Sequence, residues 1–319
     1  MPLQIRLSTR ELFSLTGVLL LAFSASLGMP FNIDAIALSF GVTNTTAGLV
    51  ASVEMAAIAA GNLTFARLSS RLSAQRIYIT GVIAVVSLNF LSIIAPTTDW
   101  LLLCRAPAGF ALGAVVATVM TTAGRSHRPE STFGVINSMV GVMGIFIAFV
   151  LPRALELHLV LPDIDGWSEV DGLYLVYATC SIFALLFIPG TPRTAPVELT
   201  DDTKERPKLM IGWLGLVGLG IIFLGHGTLA LFIVKIGRAV PLIPEEIGYV
   251  FMAGSLVGVG LPLLAGYIGT RMNALVPVAI ILLVVIVSAI LLSAANTPIK
   301  FFIFAPLFAI LPVAIMPIF

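Results

Sequence analysis

Residues 189–209, PGTPRTAPVELTDDTKERPKL, are the most polar long stretch away from the ends of the chain, and their reading organises everything around them. Beyond Gly190 the stretch holds four Lys/Arg, four Asp/Glu and three prolines, a composition that breaks helices and favours water. It is predicted to be a linker over 191–208, separating a bundle at 1–190 from another at 209–319. On both sides of it, apolar runs of about 18 or more residues recur, each long enough to cross a bilayer core of about 30 Å.

The bulk composition agrees. Of 319 residues, 59% are hydrophobic and 10% charged, against roughly 45–50% and about 25% in an ordinary soluble domain. No soluble fold hides that much apolar surface, so the lipid is the solvent and the expected fold is an all-α polytopic bundle. The net charge is +1 and the basic residues sit in short loops, which leaves no electrostatic footprint for nucleic acid. Cys104 and Cys180 both fall inside apolar runs without metal or redox spacing, and read as buried thiols.

Punctuation by Gly, Pro and charge predicts ten spans, near 11–40, 45–66, 76–95, 99–123, 132–152, 171–189, 209–235, 246–269, 274–294 and 299–319. The start, with Arg6 and Arg10 before LFSLTGVLLLAF and SAS, has the layout of a secretory signal. The apolar stretch continues past the cleavage-like site to Phe40, however, so a retained first helix is expected. With the N-terminus inside, twelve Lys/Arg fall in inner segments and four (Arg153, Lys235, Arg238 and Lys300) outside, with Arg105 inside a span. Because cytoplasmic loops accumulate positive charge, this predicts a cytoplasmic N-terminus and a cytoplasmic linker.

Six spans precede the linker and four come after it, and the halves start alike. GMPFNIDAIALSFGVTNTTAGLVASVEMAAIAAGNLTFARLSSRL, from Gly28, has a Gly-punctuated span, a short outer loop, a small-residue-rich span and a basic inner turn. GHGTLALFIVKIGRAVPLIPEEIGYVFMAGSLVGVGLPLLAGYIGTRM, from Gly225, repeats that order. Internal repeats with a substrate site at their interface are the usual build of secondary transporters. The chain here resembles the major facilitator superfamily, over essentially its whole length. GNLTFARLSSR matches the family's gating-loop signature at Gly61, with Arg67 and Arg71 supplying basic character, and the second-half copy LAGYIGTRM keeps Gly266 and Arg271. The signature's acidic position is Phe65 in the first copy and Thr270 in the second, which removes the latch that resemblance would imply. Arg105, Gly109 and Gly113 fit the fourth-helix motif, and Gly141, Gly144 and Pro152 the antiporters' glycine-and-proline motif. Twelve spans are usual in the family, so ending at IMPIF suggests a fragment, a truncated reading frame or a ten-span variant.

Charged and polar groups within spans are the site candidates, because a charge at mid-bilayer costs at least ~2.5–3.5 kcal/mol on insertion scales. Glu54 lies near the middle of the second span, among Ala51, Ala57, Ile58 and Gly61, which offer no side-chain donor. It is read as facing a cavity and carrying protons, or as a protonated carboxyl bonded to another helix. Asp34 and Arg105 sit at similar depth and are expected to pair, unless each reaches interfacial water separately. His226, between Gly225 and Gly227, is placed like Asn32 beside Gly28 and Pro30, where a helix can open toward a cavity. It binds substrate or titrates, or else bonds a neighbouring helix. Asn137 is a further candidate and, like Asn89, reads more simply as an interhelical hydrogen-bonding group.

The expected function is secondary transport of a small molecule by alternating access, with possible proton coupling. The resemblance further implies residence in a plasma membrane, such as a bacterial inner membrane, in contact with lipid. No metal-ligand spacing, cofactor motif or catalytic triad is present, so neither an enzyme nor a cofactor is expected, and without a nucleotide-binding motif the chain is no self-contained ATP-driven pump. The alternatives are a non-transporting scaffold or receptor, a permease subunit served by a separate ATPase, and a membrane enzyme, whose catalytic residues should cluster where these are scattered.

Overall fold

Helix starts obey local capping chemistry. Ser8 Oγ accepts from the Glu11 backbone while the Glu11 carboxylate accepts from Ser8 N at 2.8 Å, a reciprocal cap that opens α1 (Thr9–Ala22). Thr43 and Thr97 cap α4 (Asn44–Leu68) and α6 (Thr98–Gly124), and Ser168 with Asp171 caps α9 (Glu169–Phe187). The computed structural model describes residues 5–69, 71–160, 167–193, 209–269 and 275–309.

The first pass is not the single helix expected over 11–40. It runs as α1, a short α2 (Ser24–Leu27) and α3 (Met29–Ser39), broken at Phe23 and Gly28. Pro30, at the start of α3, has no N–H to continue the helical ladder. Then come α4, α5 (Ala74–Ile93), α6, α7 (Pro129–Leu155), the single turn α8 (Leu157–Val160) and α9, which ends in a 3-10 turn at Ile188–Gly190. Beyond the linker, most of which lies outside the described residues, come α10 (Leu209–Leu231), α11 (Ile233–Ala239), α12 (Pro244–Gly269), α13 (Leu275–Ser293) and α14 (Pro298–Ala309). The seventh pass is thus also broken, at Phe232, and reaches beyond the predicted end at 235. The tenth is described only as far as Ala309.

Among the described residues, six helical stretches are long and apolar enough to cross a membrane, and two shorter apolar helices lie at Ala279–Ser293 and Pro298–Ala309. Leu103, Leu186, Ile221, Leu224 and Ile290 each expose more than half of their surface. On a soluble protein such faces would drive aggregation, whereas in a bilayer they are the lipid contact. The chain is an all-α integral membrane protein.

Helices α4, α5, α6, α9 and α1 pack together, α7 lies along α12, α14 packs on α12 and α13, and α11 touches α3. The α4/α6 contact is the most extensive among the described residues. Gly109 and Gly113, one turn apart on α6, meet the backbone of α4: a Cβ at Gly109 would come within 2.4 Å of Glu54 O, and one at Gly113 within 2.2 Å of Ile58 O. Gly61 reciprocates, 2.3 Å by the same measure from Phe110 O. Small residues let membrane helices approach backbone to backbone, and here they fix the relative rotation of α4 and α6.

Gly113→Ala is therefore expected to destabilise the purified protein by about 1–3 kcal/mol through overpacking. Gly134→Ala, on α7 with nothing near the added methyl, should be neutral or slightly stabilising. Thermal unfolding in detergent checks this; equal midpoints for both variants would contradict the role given to the glycine seam.

Candidate functional site

The rotation set by that seam turns Arg105 toward Glu54. Both are about 1% exposed. Arg105 Nη2 donates to Glu54 Oε1 at 2.5 Å and Nε to Oε2 at 3.1 Å, a two-pronged pairing that uses the planar geometry of both groups. The third arm, Nη1, donates to Asn89 Oδ1 of α5 at 2.7 Å, and the guanidinium carbon lies 5.1 Å from the Tyr174 ring centroid on α9. Asn89 Nδ2 donates to Ser181 Oγ at 3.1 Å, and Ser181 donates on to Tyr177 O. Tyr177 packs against Tyr174 at 5.9 Å and gives its hydroxyl proton to Asn32 Oδ1 at 2.6 Å. That hydroxyl occupies the space a Cβ at Gly28 would need. Hydrogen bonds thus run from Glu54 on α4 through Arg105 on α6 and Asn89 on α5 to Ser181 on α9, and a separate one joins Tyr177 of α9 to the broken first pass.

Two expectations are corrected here. Arg105 does not pair with Asp34, because Gly109 and Gly113 share its face of α6 and direct it to α4. Nor does Glu54 lack a donor: its own helix supplies none, but the facing one supplies two N–H groups. Asp34 instead meets Arg238 of α11, with Nε 2.6 Å from Oδ2. That N–H is not aligned for a hydrogen bond, so the contact is a charge pairing. Arg238 Nη2 also lies 3.7 Å from Glu169 Oε2. At the same end of the bundle Lys235 donates to Asn44 Oδ1, and Arg153 Nη2 lies 3.4 Å from Glu245. Each of these contacts joins a residue before the linker to one after it.

His226 takes the interhelical alternative, its Nε2 3.2 Å from Phe308 O and its ring stacked on Phe308 at 4.4 Å. Asn137 is half-buried on α7 and joins neither cluster among the contacts described. In the gating-loop motif, Phe65 sits edge-on to Phe110 at 6.0 Å, an apolar contact where the family signature has its acid. Arg71 is exposed in the turn after α4. The side chain of Arg67, and Arg271 with its loop, lie outside the described residues, and Gly266 falls within α12. Gly141, Gly144 and Pro152 line the α7/α12 contact: a Cβ at Gly144 would lie 2.6 Å from Ser255 Oγ, and one at Gly248 2.7 Å from Pro152.

The sequence profile of the Major Facilitator Superfamily matches residues 14–319. The chain belongs to the major facilitator superfamily. It is accordingly a secondary transporter of a small molecule. Solved structures with the superfamily fold cover 96% of it: the bacterial homolog of the human lysosomal transporter Spinster, inward-facing and unoccupied (TM-score 0.68, 17% identity, 72% of that chain), a mutant of the nucleoside transporter NupG (0.70, 13%, 80%), and tetrameric PepTSo2 (0.71, 11%, 82%). No significantly similar curated protein was found.

Sequence reasoning missed Arg238, Glu169, Tyr174, Tyr177 and Ser181, and set Asn89 aside as a helix-to-helix group, which it is. Arg238 reads as an ordinary outer-loop cation because α11 continues past the predicted end of its span. Tyr174 and Tyr177, three residues apart, share a face of α9.

For the charges, Glu54→Gln and Arg105→Met are each expected to cost about 3–5 kcal/mol by stranding a buried partner, with the double variant losing much less than their sum. Asp34→Asn should couple with Arg238→Met and be additive with Arg105→Met. Thermal denaturation cycles decide; coupling of Asp34 with Arg105 would contradict the geometry.

Proposed function

We propose that the chain moves its substrate by alternating access between the unit at 1–190 and the unit at 209–319, and that protonation of Glu54 drives the change. The observation that carries this reading is the buried, two-pronged Arg105–Glu54 pair. A proton added to Glu54 removes the charge that faces Arg105 and turns one of the two accepting oxygens into an O–H donor, which weakens the two-pronged pairing. Arg105 then retains Asn89 and the face of Tyr174, and through Ser181 and Tyr174 the rearrangement reaches α9, whose Tyr177 hydroxyl holds Asn32 beside the break at Gly28. The first pass is therefore the element biased by the proton.

The Asp34, Arg238 and Glu169 cluster serves as a gate in this reading, closing one end of the bundle across the two units. Opening that end requires Arg238 to leave both carboxylates. Asp34 is buried while Arg238 is about a third exposed, so the guanidinium gains hydration as it leaves and the carboxylate it leaves behind must be solvated by the opening cavity, whereas Arg105 stays inside one unit throughout. The gate lies on the outer side if the N-terminus is cytoplasmic, as the twelve-to-four distribution of Lys/Arg supports. The setting is then a plasma membrane, with proton and substrate as the two cargoes. A static role for Arg105–Glu54 is the competing reading, favoured by how fully both side chains are satisfied.

Glu54→Gln separates the two. In proteoliposomes it is expected to abolish accumulation driven by a proton gradient while leaving downhill exchange measurable; wild-type accumulation with unchanged pH dependence would make the pair a structural clamp. For orientation, cysteines introduced in 191–208 should react with impermeant thiol reagents only from the cytoplasmic face. Labelling from outside intact cells would reverse it.

A further inference from the structure

A cavity of ≈180 Å³ lies where the first pass, α7, α12 and α14 meet, and neither the charge pair nor the gate lines it. Its wall is formed by Leu27 and Phe31 from the broken pass, Val140 and Gly144 from α7, and Phe251 and Ser255 from α12. Phe31 and Phe251, one from each unit, touch each other in that wall, ring centroids 5.4 Å apart at 47°. Among the described residues no charged side chain reaches it, and Ser255 carries the one side-chain hydroxyl of its lining. The contributing residues lie toward the middle of α7 (129–155) and α12 (244–269), so the cavity sits at depth, between the units that alternate access moves.

We infer that this cavity is the substrate site and that its ligand is a compact, uncharged, largely apolar molecule carrying one ring and at most one hydroxyl-sized polar group. This deepens the transport reading and rests on it. An ionised ligand would give up its hydration for a wall with no counter-charge, and a polyhydroxylated one would leave several groups unpaired, each at a cost of a few kcal/mol. An uncharged ring loses nothing comparable and packs against an apolar wall that includes both phenyl groups. Size points the same way, since an apolar cavity of about 150 Å³ accepts benzene. A single polar substituent is matched by Ser255 Oγ. Because Phe31 comes just after Gly28 and Pro30 in the broken pass, and Asn32 beside it is held by the Tyr177 hydroxyl of α9, occupancy and the state of Glu54 act on the same short segment.

The test uses the full chain in lipid nanodiscs and three fluorinated probes of matched size: fluorobenzyl alcohol, fluorobenzoate and fluorobenzylammonium. Fluorine NMR line broadening, taken as the saturable excess over empty nanodiscs, is expected for the alcohol alone. Val140→Phe, which fills the cavity from α7, should weaken that binding about tenfold or more without lowering the thermal midpoint. If that variant does not fold, Phe251→Ala enlarges the cavity instead and should let naphthalenemethanol compete where it cannot in the wild type. Equal or stronger binding of either charged probe, or binding indifferent to both variants, overturns the assignment. Flux in proteoliposomes keeps the two claims apart: accumulation of a charged compound only would sink this inference and leave transport standing, while saturable binding of the alcohol without energised flux of any compound would sink the transport reading and leave the cavity's chemistry.

Discussion

The backbone contact between α4 and α6 is the constraint on which the rest of the site depends. Gly61, Gly109 and Gly113 bring the two helices so close that neither can rotate, and the helical period then decides what Arg105 faces, because it lies one turn from Gly109 on the same side. A larger residue at either α6 glycine would move the guanidinium away from Glu54. The charge pair is thus a consequence of packing. Nothing in the charges alone selects Glu54 over Asp34 as the partner, and matching charges by depth along the sequence selects Asp34.

Two kinds of ionic contact divide the work. Arg105 and Glu54 are sealed inside one unit, paired two-pronged and joined to Asn89 and Ser181, while Tyr177 of the same α9 holds Asn32. Arg238 is about a third exposed, is shared between Asp34 and Glu169, and makes a poorly aligned contact. The first arrangement suits an element that stores a state; the second suits one that opens and closes. Breaking a fully sealed pair by removing one partner is costly; Asp34 is buried too, but its partner Arg238 is open to water on one side. That difference matches a transporter whose units stay rigid while the contacts between them change.

The breaks in the first and seventh passes, at Gly28 and Phe232, open α3 and α11, which touch each other, and Leu27 beside the first break lines the cavity. In a bilayer, interrupted helices persist only where protein or an internal cavity shields their freed backbone groups. Here Tyr177 fills the space beside Gly28, and Phe31 turns to the cavity wall. His226, which the glycine context marks as a site residue, is taken up by Phe308 instead, tying α10 to α14.

Composition and local chemistry suffice for membrane residence, helix starts and family. Residence comes from 59% hydrophobic residues in recurring runs, helix starts from their caps, and the family from glycines and arginines at fixed spacing. Cys104 and Cys180, read as buried thiols, are free and buried. Glu54, Arg105, Asp34 and Asn32 are legible as site candidates because a polar group in an apolar span must be satisfied by something. The partner that satisfies each comes from tertiary packing alone. Partners 51 residues apart (Glu54 and Arg105) or 145 apart (Asn32 and Tyr177) leave no periodic trace along the chain, and continuation of α11 to Ala239 turns Arg238 from a loop cation into the partner of Asp34 and Glu169. Depth can be read from position in a span; the azimuth of a side chain depends on which faces of neighbouring helices are small enough to touch.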